Sequence, residues 1–394
     1  MNRRMYGLGS KRSVIREIFE FGKQRAAEVG AENVYDFSLG NPSVAPPQAV
    51  EDAIEDLLRG KDMTALHGYT SAPGDLATRE AIAGHICKSF GVPADAGHIY
   101  MTCGAAASLT ISLSAICNAG DEVITFAPYF TEYKVFAETA GASLIALPSD
   151  PDTFQIDFSA LEGAISPKTA AVLVNSPNNP SGVVYGRETV EKLAALLAEK
   201  SAEYGHTIYL ISDEPYRELV YGGVEVPYLP AYYKDTLVCY SYSKSLSLPG
   251  ERIGYIFVSP QAKDAGELYL AVCGAGRALG YVCAPSLFQK VIARCQGMTS
   301  DVSVYEKNRN TLLSALTSYG FKCVRPDGAF YLFVRSPEPD ANAFCERAKA
   351  YDLLLVPGDD FGCKGYVRIA YCVSPAMIAR SLPAFEKLAK SYGL

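Results

Sequence analysis

Thr236-Leu-Val-Cys-Tyr-Ser-Tyr-Ser-Lys-Ser-Leu-Ser-Leu-Pro-Gly-Glu-Arg-Ile-Gly254 opens as an apolar run and turns, at Ser241, into small polar residues around one lysine, Lys244. The apolar part has the length of a buried strand, and Pro249-Gly250 marks a turn near the end of the stretch. Two earlier stretches repeat the pattern. Ala170–Val174 runs into Asn175-Ser-Pro-Asn-Asn-Pro-Ser-Gly182, and Thr207–Ser212 runs into Asp213-Glu-Pro-Tyr216. Together with Glu122-Val-Ile-Thr-Phe126 they alternate, from about residue 95 to 260, with helix-like stretches such as Glu188 to Lys200. That rhythm predicts an α/β fold with a mostly parallel sheet covered by helices on both faces. Ligands of such sheets sit beyond the carboxyl ends of the strands. A lysine, an aspartate and an asparagine are therefore predicted to share one crevice.

Outside this core the pattern changes. Val14, Ile15, Ile18 and Phe19 have helical spacing within Ser13-Val-Ile-Arg-Glu-Ile-Phe-Glu-Phe21. Past residue 285, one long helical segment (Pro285 to Tyr319) is expected. It leads into Gly328-Ala-Phe-Tyr-Leu-Phe-Val334, a helix near Ala341–Tyr351, Tyr366-Val-Arg-Ile-Ala-Tyr-Cys-Val373 and a last helix from Pro375. This mixture predicts a smaller α+β domain. With 394 residues the chain exceeds one ordinary core. The expected division is an N-terminal arm with part of the small domain (1–45), a large domain (46–284) and a small C-terminal domain (285–394).

Composition narrows the function. There are 36 Lys and Arg against 43 Asp and Glu, a net charge of −7, so nothing draws the chain generally to nucleic acid or an anionic membrane. The first residues carry no apolar run of a signal peptide, and no stretch approaches the length of a membrane span. The 11 cysteines contain no Cys-x-x-Cys pair, which reads as reduced thiols in the cytoplasm. The four histidines (His67, His85, His98, His206) are not spaced as metal ligands, so no metal is expected.

A lysine amine condenses with an aldehyde when its pKa is low, and a buried aspartate at a strand end needs a cationic partner. Pyridoxal 5'-phosphate (PLP) wants both: a lysine for its aldehyde and a carboxylate against its ring nitrogen. Singly, Lys244 reads as a surface lysine and Asp213 as a helix cap or turn residue. Jointly they read as a cofactor site.

The motif Ser241-Tyr-Ser-Lys244 with Arg252 and Gly254 resembles PLP-dependent aminotransferases of fold type I, class I/II, the relatives of aspartate aminotransferase. The resemblance runs in consistent order from Gly40 to Arg368. It implies the fold-type-I architecture: a large domain with a mostly parallel mixed sheet flanked by helices, and a small α+β domain. It implies Lys244 as the cofactor-bearing lysine and proton shuttle, with Ser241 and Arg252 on the phosphate, where a guanidinium fork fits. Asp213 would face the ring nitrogen. Tyr216 would donate to the ring's phenolic oxygen, and Asn179 would serve that oxygen and the substrate carboxylate. In Cys103-Gly-Ala-Ala-Ala107 the resemblance makes Gly104, Ala105 and Ala106 backbone donors to phosphate at a helix N-terminus. In Ala127-Pro-Tyr-Phe-Thr-Glu-Tyr133 it puts Phe130 on the ring face; read alone, Phe130 is a core residue. Tyr69, in Gly68-Tyr-Thr-Ser-Ala-Pro-Gly74, would reach the phosphate of a partner subunit and imply a homodimer with shared sites; a plain loop tyrosine is the other reading. Arg368 would clamp the substrate α-carboxylate, with Gly40 letting the backbone approach it.

The implied reaction moves the amino group of an acidic or aromatic L-amino acid to a 2-oxo acid such as 2-oxoglutarate. C–S β-lyases and other fold-type-I lyases share these motifs, and a non-catalytic PLP-sensing protein is the alternative of another class. Arg277 is a candidate second cation for a dicarboxylate. Gly274-Ala-Gly-Arg-Ala-Leu-Gly280 imitates a dinucleotide fingerprint, but its third glycine falls one position late and its setting is helical.

Overall fold

A computed structural model describes residues 1–10, 14–60 and 62–394. Ser13, where the expected N-terminal helix begins, lies outside the described residues; the helix runs Val14–Val29 and turns Ile18 into the core. The strands in chain order are β1 (Tyr35–Asp36), β2 (Ile99–Thr102), β3 (Glu122–Ala127), β4 (Ser143–Pro148), β5 (Thr169–Asn175), β6 (Tyr209–Asp213) and β7 (Thr236–Ser241). They continue with β8 (Gly254–Val258), β9 (Lys322–Cys323), β10 (Tyr331–Arg335), β11 (Leu353–Leu354), β12 (Val356–Pro357) and β13 (Tyr366–Ala370).

Seven strands form the main sheet in the order β2-β8-β7-β6-β5-β3-β4. From β7 to β4 all neighbours are parallel, and β8 runs against both β7 and β2. Helices explain why the central strands read as unbroken apolar runs. Along β5, Ala171 and Leu173 face the helix Ala105–Ile116 through Leu109 and Leu113. Val172 and Val174 face the helix Arg187–Tyr204 through Val190, Leu193 and Leu197. A strand covered on both sides has no polar face to show.

A second, antiparallel sheet has the order β12-β13-β10-β9. Its core joins Phe330, Leu332, Val367 and Ile369 to Phe344 and Phe385 of the helices Ala341–Lys349 and Pro375–Ser391. β1 pairs in parallel with β11, so the N-terminal segment is tied to this C-terminal part. One expectation is corrected. The helical segment from Pro285 to Tyr319 is two helices, Ser286–Arg294 and Ser303–Ser318, separated around Gly297 at φ +76°. Apolar periodicity continued across the break, whereas a left-handed residue cannot continue an α-helix. The first of these helices packs Val291 and Ile292 against Val50, Ile82 and Ile86, on the main-sheet side of the molecule.

β5, β6 and β7 end side by side, with Asn175 paired to Asp213 and Asp213 to Cys239. The polar residues after these strands are thereby delivered to one edge. No helix among the described residues is long and apolar enough to cross a membrane.

Candidate active site

At that edge lies a cavity of about 320 Å³. Lys244, Asp213, Asn179, Tyr216, Ser241 and Arg252 line it from the main sheet; Ala105, Ala106 and Phe130 come from the flanking segments, and Gly40 and Arg368 from the side of the second sheet. A larger groove of about 860 Å³ beside the helix Arg187–Tyr204 contains none of these residues. Convergent polar groups, rather than volume, mark the smaller cavity as the chemical one.

Two of the charged groups there, Asp213 and Arg368, are left incomplete. Asp213 is 4% exposed. Its Oδ2 accepts a hydrogen bond from Tyr133 at 2.5 Å, and its backbone carbonyl accepts one from Asn175 Nδ2 at 2.8 Å. Its Oδ1 is buried with no partner. Burial pushes this carboxyl up to about 7, with Glu214 adding to the rise and the Tyr133 hydrogen bond opposing it. Lys244 Nζ donates to the Gly40 carbonyl at 2.6 Å. Burial brings the amine down to about 8; the upward pull of Cys372 opposes this, and the positive charges of Arg252 and Arg368 add to it. Such an amine keeps a sizeable neutral fraction near physiological pH, where an ordinary lysine keeps almost none.

Arg368 stands in β13 opposite Phe333 of β10. Its Nη2 donates to the Ser38 carbonyl at 2.6 Å and its Nη1 to Asn179 Oδ1 at 3.2 Å, while its Nε is buried and unpartnered. The guanidinium lies between the rings of Tyr331 and Phe361, at 4.7 and 5.0 Å from their centroids. A planar cation so held cannot swing away, which suits a fixed carboxylate clamp.

The far end of the cavity is shaped for an anion. Gly104 has φ +91°, and a Cβ there would lie 2.7 Å from Arg252 Nη2, so only glycine lets the chain pass so close to that guanidinium. The helix Ala105–Ile116 starts at this point without a side-chain cap, leaving its first N–H groups to a ligand. Beside it, Ser241 donates to Ser243 Oγ at 2.7 Å, and Arg252 Nη1 donates to the same Ser243 oxygen at 3.3 Å.

Residues 32–385 match the family model of aminotransferase class I and II. This chain belongs to that family. As an aminotransferase of class I/II it is an enzyme, of the PLP-dependent fold-type-I architecture that the mixed main sheet and its helices display. The aspartate/prephenate aminotransferase of Thermus thermophilus is 30% identical to it over 359 residues, covering 89% of this chain and 90% of that protein. Aromatic-amino-acid aminotransferase 2 of Thermococcus litoralis is 27% identical, covering 96% of each. A crystal structure of an amino transferase from Eubacterium rectale superposes with a TM-score of 0.98 at 59% identity, covering 100% of this chain and 99% of that one.

Three residues singled out in the sequence of this aminotransferase stay outside its cavity. Gly104 acts one step back, by the clearance it gives Arg252. Tyr69 is 99% exposed and does not line the cavity of its own chain. Arg277 is exposed on the helix Ala265–Ala278 and does not line the cavity either. The glycines around it belong to that helix; Gly276 is needed because a Cβ would meet the Tyr100 hydroxyl at 2.2 Å. Sequence reasoning passed over Tyr133, Asn175, Ser243 and Tyr331. Tyr133 closes the Ala127–Tyr133 segment that carries Phe130, and Asn175 opens the asparagine run that carries Asn179. Their membership of those two motifs was the available signal.

Proposed function

We propose that this aminotransferase binds PLP through Lys244 and moves the amino group of an acidic or aromatic L-amino acid to a 2-oxo acid such as 2-oxoglutarate. The observation that carries the reading is one cavity holding a lysine nitrogen of lowered pKa together with the orphaned Oδ1 of Asp213, while the orphaned Nε belongs to the arginine at its rim. Buried polar groups without partners are uncommon in a finished core. Their convergence fits a ligand with a cationic ring nitrogen and a carboxylate.

Bound there, PLP supplies an electron sink for the bonds of the substrate α-carbon. Asp213 Oδ1 would pair with the ring nitrogen and keep a proton on it, and that positive charge would in turn hold the carboxylate ionised. Ser241, Arg252 and the N–H groups of Ala105 and Ala106, beyond Gly104, would hold the phosphate. Phe130 would cover the ring face, and Tyr216 and Asn179 would donate to the phenolic oxygen. Asn179 keeps its amide NH₂ for this task, because its Oδ1 already accepts from Arg368. Arg368 takes the substrate α-carboxylate, with Gly40 giving it room. Lys244, once its nitrogen is free, removes the proton from the substrate α-carbon and holds it for return.

The names of the relatives favour acidic and aromatic donors. The exposure of Tyr69 suits a residue that reaches a second copy's phosphate, which makes the working unit a homodimer in this reading. Eleven free cysteines fit a cytoplasmic setting. The chain divides in this reading into an arm (1–45), a large and a small domain, with the second boundary near residue 300 rather than 284, since Ile292 packs with the large core and Tyr305 with the small one. A panel of amino donors against 2-oxoglutarate tests the assignment. Oxo-acid release from aspartate or an aromatic amino acid supports it; pyruvate, ammonia and thiol from a sulfur amino acid would move the chain to the lyases.

A further inference from the structure

Tyr331 holds neither cofactor nor substrate in the proposed reaction, yet it touches three residues that serve them. It stands at the start of β10 and is 2% exposed. Its hydroxyl lies 2.9 Å from the Tyr216 hydroxyl, and the two rings meet edge to face at 5.8 Å. Its ring face carries the Arg368 guanidinium. A Cβ on Gly40 would fall 2.0 Å from the Tyr331 oxygen, so the missing side chain at position 40 is what admits this hydroxyl. Among the described residues neither hydroxyl has another hydrogen-bond partner.

Each phenol owns one proton. If Tyr216 gives its own to an acceptor in the cavity, the proton between the two oxygens comes from Tyr331. We propose that Tyr331 is a positioning residue with two separable functions: its hydroxyl aims the Tyr216 proton into the cavity, and its ring seats Arg368. One side chain then couples the carboxylate clamp to the donor on the ring oxygen. The inference rests on the reading of Tyr216 as that donor. The titratable or charged groups facing the pair are Asp213, Arg368 and Cys372, with Lys244 across the cavity, and substitutions at 216 and 331 leave them all in place.

The PLP-loaded enzyme provides the test, through the pH at which the absorbance of the lysine-bound cofactor changes. A donor on the phenolic oxygen competes with the proton on the linkage nitrogen, so weakening the donor raises that pKa. Tyr216→Phe is expected to raise it by roughly one to two pH units, the size of a hydrogen bond to a charged acceptor. Tyr331→Phe is expected to raise it by roughly 0.3–0.5 unit, a loss of cooperative strengthening, with KM for the amino donor unchanged. Tyr331→Leu is expected to give the same shift and to raise KM roughly 3- to 30-fold, since the platform under the guanidinium is gone. A shift with Tyr216→Phe but none with Tyr331→Phe overturns the proposal while leaving the site reading intact. No shift with Tyr216→Phe overturns the reading of Tyr216 and the proposal with it.

Discussion

Asp213 and Glu214 are adjacent buried carboxylates, and the protein treats them in opposite ways. Glu214 is complete. Its Oε1 accepts from Ser212 at 2.6 Å and its Oε2 from Arg217 Nε at 2.5 Å, and Arg217 spends its other nitrogens on the carbonyls of Val226 and Pro227. The rings of Phe90 and Tyr228 lie against that guanidinium. Asp213, one residue earlier, has a single side-chain donor and an oxygen with nothing to bond. Successive side chains leaving a strand point to opposite faces. One carboxylate is therefore built into the core behind the sheet, and the other is presented to the crevice. The pair of buried charges that closes on itself is complete without a ligand; the carboxylate left open is the one that the proposed function gives to the cofactor.

Substituting each acid separates the two. Asp213→Asn keeps the shape but removes the charge opposite the ring nitrogen, and kcat is expected to fall roughly 10³-fold or more, as for loss of a preorganised electrostatic group. The same change should stabilise the cofactor-free protein. A carboxyl whose folded pKa is raised to about 7 binds more protons folded than unfolded between about pH 4 and 7, so it costs stability progressively as pH rises through that window. In thermal melts the gain from Asp213→Asn is expected to be about a few kcal/mol at pH 8 and to vanish near pH 4. Glu214→Gln acts in the opposite direction. It leaves Arg217 buried without its counter-charge and should cost about 3–5 kcal/mol in denaturant unfolding, while the surviving folded enzyme keeps its cofactor absorbance.

Arg368 extends the comparison to the second sheet. Arg368→Lys retains charge but loses the planar fork seated between two rings, and kcat/KM for amino donors is expected to fall about 100-fold, chiefly through KM. The smallest effect concerns Lys244. Only the neutral amine condenses with an aldehyde, so the rate of PLP uptake by the cofactor-free protein should rise with pH, pass its midpoint near 8 and level off above it. A rate still climbing at pH 10 would mark Lys244 as an ordinary exposed lysine.

Much of this was legible in the sequence for a physical reason. Lys244, Asp213 and Asn179 follow unbroken apolar runs, and a run with no polar face can only be a strand covered on both sides, whose end is an edge of the sheet. What stayed hidden was whatever depends on long-range approach. Tyr133 bonds Asp213 across 80 positions and Tyr331 meets Tyr216 across 115; Tyr133 stands between Glu132 and Lys134, and Tyr331 sits among apolar residues that read as core. The break near Gly297 was hidden because apolar spacing is preserved on both sides of it.

The central claim is that the nitrogen at position 244 carries the cofactor in the cavity that Asp213 leaves open. Borohydride reduction of the PLP-loaded protein, followed by digestion and mass measurement of the labelled peptide, tests it most directly. The account predicts a single modified lysine, in the peptide containing Ser241 to Arg252. Label on another lysine, or none at all, would contradict it.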